Sequence, residues 1–312
     1  MKAVNKILAL FAVMCSLHIS AQNQTETLSP IFPEVSLPFT LSIEQAEFNL
    51  PTGLQAYVSA IYEGKWILLA GRTNGLHGFD NIGNNFPTSF QNTSVFVIDP
   101  TTGNSHQRSL SESGLSQLRI DDLSATASES FQKGRLLYVV GGYGFDHVTQ
   151  TMGTRSTLVE IDLKILLRWV KKGEPDLRYA IRAVTDPYLQ VTGGELYQAS
   201  DSDPFLLIFG QNFIGDYRDS SNGIYVQKVR PFRLNDDGVN ISIVPILNPL
   251  ILPDYRRRDL NVVPIIYHNK PAYVALSGVF TLTTGVWTVP VTIFANGNSN
   301  EPLPVAILFF LS

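Results

Sequence analysis

LLYVVGG (residues 136–142) is an apolar run that stops on glycine, and the chain uses the same device three more times: WILLAG (66–71), FLLIFG (205–210) and AYVALSG (272–278). Each run is too short for a helix and too apolar for a surface strand, so it reads as a strand buried on both faces. The closing glycines lie about 70 residues apart, and a strand that returns at a near-constant interval marks a modular β architecture.

On either side of these runs the sequence supplies partners. An apolar segment precedes each one, at residues 53–62, 123–131, 184–191 and 260–267, and the connections 63–65, 132–135 and 268–271 have the polar, turn-forming composition of hairpin loops. After each glycine a loop rich in Gly, Asn and Asp leads to a third strand, expected at 94–98, 157–161, 223–229 and 286–293. A fainter fourth is expected near 105–110, 166–170, 239–245 and 304–310. Residues 163–172 are also the best helix candidate in the chain. The unit is a four-stranded antiparallel meander, and meanders repeated at this interval cover both faces of every sheet when they are arranged as blades around an axis. The expected fold is an all-β propeller of four-stranded antiparallel blades.

Strands ending in Gly or Gly-Gly, followed by a third strand with an aliphatic-Asp pair and an aromatic about seven positions later, resemble kelch repeats of the galactose oxidase type. The second unit carries this best, with Gly141-Gly142, Ile161-Asp162 and Trp169; the first has Gly71, Ile98-Asp99 and His106 at the aromatic position. The third and fourth keep the glycine and lose the Asp and Trp. The resemblance spans roughly residues 50–310 and implies a ring of six or seven blades, whereas the sequence holds about four, near 50–115, 116–176, 177–247 and 254–312. An incomplete ring is therefore expected, with residues 38–50 as an outer strand that closes it against the last blade. The oxidase relatives need a Tyr cross-linked to Cys, and the single cysteine, Cys15, lies in the stretch expected to be removed on export, so copper-radical chemistry is not implied.

Charged residues form only 16% of the 312 positions and aromatics 11%, a balance that fits a sheet-rich globular protein and excludes a disordered one. A formal net charge of −4 offers no footprint for nucleic acid. Lys2 and Lys6, the apolar stretch 7–17 and the small residues before Gln22 read as an export signal, residues 1–21, with 22–37 as a flexible leader and 38–312 as the propeller. The apolar run of about eleven residues falls short of the roughly 20 that a membrane span needs. Cys15 sits inside that run behind Met14, which argues against lipid attachment, and it is the only cysteine, so the processed chain is expected to have no disulfide and no thiolate metal site. A secreted, periplasmic or cell-surface location follows.

Up-and-down connectivity places the loops entering the first strands and leaving the second strands on one face of the disc. Most of the charge falls there, and residues just ahead of the innermost strands should crowd the axis. Asp122, Arg182, Arg257, Arg258 and Asp259 are expected at that position, with Arg72 at the exit of the first glycine-ended strand. Guanidinium forks suit carboxylates, and carboxylates accept sugar hydroxyls, so the set reads as a candidate binding site. The same residues equally read as ion pairs locking neighbouring blades. His77, His106, His147 and His268 are scattered singly, no metal or other cofactor is expected, and no catalytic motif stands out. The first functional expectation is a non-catalytic propeller that binds a protein or carbohydrate partner through its loop-bearing face. The alternatives are a carbohydrate-active or sialic-acid mutarotase-like enzyme on the same scaffold, as the resemblance implies, and a structural module of a larger secreted protein.

Overall fold

The computed structural model describes residues 40, 42–80, 82–218, 223–283 and 285–300. The expected export signal, the whole leader and the apolar stretch 305–311 lie outside them. The described strands follow one another as β1 (Val58–Tyr62), β2 (Lys65–Leu69), β3 (Ser94–Ile98) and β4 (Ser105–Ser109) in a first blade, then β5 (Glu129–Lys133), β6 (Leu136–Val140), β7 (Tyr143–Asp146), β8 (Thr151–Thr154), β9 (Thr157–Asp162) and β10 (Ile181–Thr185). They continue with β11 (Glu195–Tyr197), β12 (Phe205–Ile208), β13 (Gln211–Asn212), β14 (Ile224–Tyr225), β15 (Val229–Asp236) and β16 (Ile241–Pro245), and end with β17 (Val262–Tyr267), β18 (Lys270–Ala275), β19 (Val291–Phe294) and β20 (Ser299–Asn300). Among the described residues these make four antiparallel four-stranded blades, ordered β1-β2-β3-β4, β5-β6-β9-β10, β11-β12-β15-β16 and β17-β18-β19-β20. The pairs β7-β8 and β13-β14 are side hairpins in the loops that leave the glycine-ended strands.

Alternation along the second strands explains why these runs are apolar throughout. Leu137 and Val139 pack with Ile67, Leu69, Val95 and Val97 of the first blade. Tyr138 and Val140, pointing the other way, pack with Leu196, Leu207 and Phe232 of the third. In the third blade Leu206 and Ile208 turn in the same way to Val262, Tyr273 and Ile293 of the fourth. A middle blade thus buries both faces, and truncating any of these leucines to alanine would cost about 3 kcal/mol.

The glycines do more than end strands. Gly71 has φ +80°, and a Cβ there would lie 2.6 Å from the Gln55 carbonyl oxygen and 2.8 Å from the Tyr57 Cα, so only glycine lets the exit of β2 rest against the entrance of β1. At Gly142 a Cβ would meet Ser128 Oγ at 2.1 Å in the same relation. From that close contact the amide N–H of each glycine reaches the next blade: Gly71 N donates to Ala125 O at 3.0 Å, Gly142 N to Val191 O at 2.8 Å and Gly210 N to Arg257 O at 2.9 Å. Two residues after each of these acceptors comes a left-handed residue: Ala127 (φ 51°), Gly193 (φ 70°) and Asp259 (φ 48°), with Ala56 (φ 50°) as the counterpart in the first blade. These four are themselves joined in sequence, Ala127 N to Ala56 O at 3.0 Å, Gly193 N to Ala127 O at 3.0 Å and Asp259 N to Gly193 O at 2.7 Å. Main-chain bonds therefore run from blade to blade along the axis.

The second blade departs from expectation. Residues 166–170 are not its fourth strand but part of helix α2 (Leu163–Lys172), which follows the short helix α1 (Gln117–Asp122). Asp162 caps α2 by accepting from Lys164 N and Ile165 N, Gly173 closes it with φ 77°, and Leu163, Leu166, Leu167 and Val170 form its buried face. The aliphatic-Asp pair thus serves as a helix cap, and Trp169 packs from the helix with its carbonyl accepting from Arg108 Nε at 2.9 Å. The outer strand is β10, paired with β9, so the segment 184–191 expected to begin the third blade does not form its inner strand; β11 does. In the third and fourth blades the third strands lie later than expected, at β15 and β19. Residues 42–50 form no strand; Phe48 packs against Trp66 with ring centroids 5.9 Å apart and against Leu68, Phe96 and Ile98. Among the described residues no helix is long and apolar enough to cross a membrane.

Candidate functional site

The residues flanking the left-handed positions surround a cavity of about 240 Å³ on the loop-bearing face. It is lined by Gln55-Ala56, Thr126-Ala127, Thr192-Gly193 and Arg258-Asp259, one pair from each blade. Each pair bridges to the residue that follows its blade's glycine: Gln55 to Arg72, Thr126 to Tyr143, Thr192 to Gln211 and Arg258 to Val279. Arg72, Tyr143 and Gln211 therefore enter the cavity from equivalent places in three blades.

Arg72 is 3% exposed and pairs with no carboxylate among the described residues. Its Nε and Nη2 donate to Asn74 Oδ1 at 3.1 and 2.7 Å, and its guanidinium lies 4.2 Å from the centre of the Phe86 ring. Burial pulls its pKa down. Arg258, also buried, donates from Nη2 to Tyr217 Oη at 2.7 Å and from Nε to Tyr225 Oη at 3.2 Å, while Nη1 meets Asp259 Oδ2 at 3.1 Å. Burial opposes its charge, but Asp259 and the two tyrosines outweigh burial and raise its pKa. Asp259 is half-exposed. Among the described residues it is the one carboxylate lining the cavity, where two guanidiniums face it.

An aromatic wall completes the site. Phe86 and Tyr217 sit edge to face at 5.0 Å, and Tyr143 donates its hydroxyl proton to Gly215 O at 2.6 Å. His77 lies 5.1 Å from Tyr217, and its Nδ1 meets Gly78 O at 2.5 Å, which leaves Nε2 as the acceptor; burial, Arg72 and Arg258 hold the ring toward its neutral form. The loops carrying this wall are joined by Asn85 N to Tyr217 O at 2.9 Å.

The other expected site residues lie elsewhere. Asp122, on α1, meets Arg155 Nε and Arg119 Nη1, each at 2.9 Å, and is shut off from the axis. Arg182, on β10, spans Glu160 of its own blade, at 2.9 Å from Nε, and Asp236 of the next, at 2.6 Å from Nη2. Arg257 is fully buried, with Nε donating to Asp254 O at 2.7 Å and the guanidinium 4.9 Å from the Trp287 ring. The structure thus gathers Arg72, Arg258 and Asp259 and separates Asp122, Arg182 and Arg257 from them. Tyr143, Gln211, Phe86, Tyr217 and His77 are among the cavity residues that sequence reasoning left out of the site. Among the described residues no group of three or more His, Cys, Asp or Glu is placed to share a metal ion.

Fold and site together define the class of protein: a β-propeller with an axial cavity on its loop-bearing face. No family model matches the chain, and no curated protein matches it. Solved structures do, 126 chains in all. One is YjhT, a kelch-type propeller that is 12% identical over 82% of this chain and 71% of its own, with a TM-score of 0.50. At that identity the likeness speaks for the fold alone.

Proposed function

We propose that this propeller binds a small, carboxylated, hydroxyl-bearing ligand, such as the acidic sugar at the end of a glycan, in the axial cavity. The observation that carries the reading is Arg72: a guanidinium buried at the cavity wall without a carboxylate partner, beside a second arginine. A buried cation without a counter-ion is costly, and an anionic ligand would supply one. Gln211, Thr192 and the half-exposed Asp259 offer partners for hydroxyls, and the Phe86–Tyr217 wall offers a flat apolar surface for the ring of a sugar. A cavity of about 240 Å³ suits one sugar ring rather than a protein surface. Calorimetric titration with sialic, glucuronic and galacturonic acids beside their neutral counterparts tests this. Binding of an acid with loss in Arg72→Met is expected, and equal response to acids and neutral sugars would overturn it.

The mutarotase-like reading has one observation of its own: His77, kept toward neutrality, and Asp259 line the same cavity, a pairing able to move a proton between a ring oxygen and a hydroxyl. Exchange spectroscopy on the two anomers of a bound sugar acid would detect it, and an exchange rate unchanged by the protein would leave the binding reading alone. We further infer that the repeats are kelch-type and that the chain is exported through residues 1–21. The support is the sequence pattern, and N-terminal sequencing of the processed protein is the test; an N-terminus still at Met1 would refute export.

A further inference from the structure

The interface between the second and third blades buries an arginine that its surroundings only partly answer. Arg230, on β15, is in register with Leu207 and shares its face toward the second blade; Glu129, at the head of β5, is in register with Val140 and faces the third. Arg230 is 7% exposed and Glu129 1%. One oxygen of Glu129 accepts from Gly194 N at 2.7 Å, and the other, Oε2, has no partner. Gly141 and Gly194 leave room for this carboxyl, since a Cβ on either would lie 3.0 Å from Oε2 or 3.3 Å from Oε1. Arg230 donates from Nη1 to Tyr188 O at 2.6 Å, while its Nε and Nη2 are buried without an acceptor.

We propose that Nε and Nη2 of Arg230, with the free oxygen of Glu129 opposite, form a buried binding site for a small inorganic anion of halide size between the second and third blades. The charge balance there favours an anion over water. Besides Arg230, the titratable groups acting on Glu129 and its partner are Glu195, at the head of β11, and Tyr188, whose ring centre is 5.6 Å from the guanidinium. Burial pushes the Glu129 carboxyl up to about 8 and the Tyr188 phenol up to about 12, so both are neutral at pH 7, and it pushes Glu195 up to about 7. Among these groups the Arg230 guanidinium is then the one fully charged at pH 7, with Glu195 about half ionised. Water could satisfy its N–H groups but not its charge, and an uncompensated buried cation is the more expensive state. A halide accepts from both N–H groups and from the carboxylic O–H of Glu129. Ionisation of Glu129 would set a second negative charge beside it, so affinity should hold below pH 7 and fall as pH rises through about 8, by up to tenfold per unit.

Crystals grown in bromide at pH 6.5 provide the test. An anomalous peak within hydrogen-bond reach of Nε and Nη2 of Arg230 is expected, lost at pH 9.5 in the wild type and kept at both values in Glu129→Gln. In solution, at matched ionic strength, bromide should raise the Tm of the wild type and of Glu129→Gln relative to gluconate and leave Arg230→Met unmoved. A site filled by a non-anomalous oxygen, a direct Glu129–Arg230 ion pair at pH 6.5, or a bromide effect on Tm shared by Arg230→Met would each overturn the proposal.

Discussion

Arg182 and Arg72 are the same side chain put to opposite uses. Arg182 lies toward the outside of the disc and meets carboxylates from two blades, Glu160 and Asp236, so its charge is spent on holding neighbours together. Arg72 lies at the axis, is more deeply buried and meets amide oxygens and an aromatic ring instead of an acid. The outer arginine needs nothing beyond the fold. The inner one is electrostatically incomplete, and only there does a guanidinium point to a ligand.

The largest effect should come from the locked side. Asp122→Ala leaves Arg155 and Arg119 facing a buried void and should cost about 3 kcal/mol or more in urea unfolding, with the affinity of the axial cavity unchanged in the folded fraction. Arg72→Met should do the reverse, lowering affinity for a sugar acid about 30-fold, equivalent to about 2 kcal/mol, while stability moves by less than about 1 kcal/mol; the same loss of stability in both variants would erase the contrast. Glu129 supplies an intermediate case, buried opposite an arginine without pairing to it. Its pKa is raised from 4.5 to about 8, so the folded state keeps a proton that the unfolded state gives up. Its contribution is full below pH 4.5 and is lost as pH rises through about 8, so Glu129→Gln should flatten the stability profile across this window and be the more stable of the two by pH 8. Smallest is Asp236→Asn, about 1 kcal/mol in chemical unfolding, because water reaches its pair with Arg182 and weakens it.

Much of the scaffold was legible in the sequence because blade strands buried on both faces have no polar side to blur them. WILLAG, LLYVVGG, FLLIFG and AYVALSG all stand as the second strands of blades, and the first two fourth-strand alternatives differ for a reason. SHQRS (105–109) forms β4, whereas the run at 166–170 carries helical periodicity between a capping Asp162 and Gly173, and this local signal overrides the repeat. That displacement moved the expected axial residue of the third blade, and the short helix α1 ahead of β5 did the same in the second. Asp122 and Arg182 were taken for the positions that Thr126-Ala127 and Thr192-Gly193 occupy, and the signal that could have found them is the short recurrence of Thr-Ala-Ser-Glu at 126–129 and Thr-Gly-Gly-Glu at 192–195. Arg258 and Asp259 do line the cavity, with only the single helical turn Pro253–Tyr255 ahead of β17. Tyr143 and Gln211 line the cavity only through their bridges to Thr126 and Thr192, a relation that no linear spacing discloses.

The main-chain bonds that run from Ala56 through Ala127 and Gly193 to Asp259 have a consequence for how such a protein can change. A seam sewn through amides and carbonyls is indifferent to the side chains hung on it, requiring only a tolerated backbone turn; alanine, glycine and aspartate all serve. The sequence can therefore drift until no family pattern recognises it while the assembly of blades persists, and each axial side chain is left free to be exchanged for one that suits a new ligand.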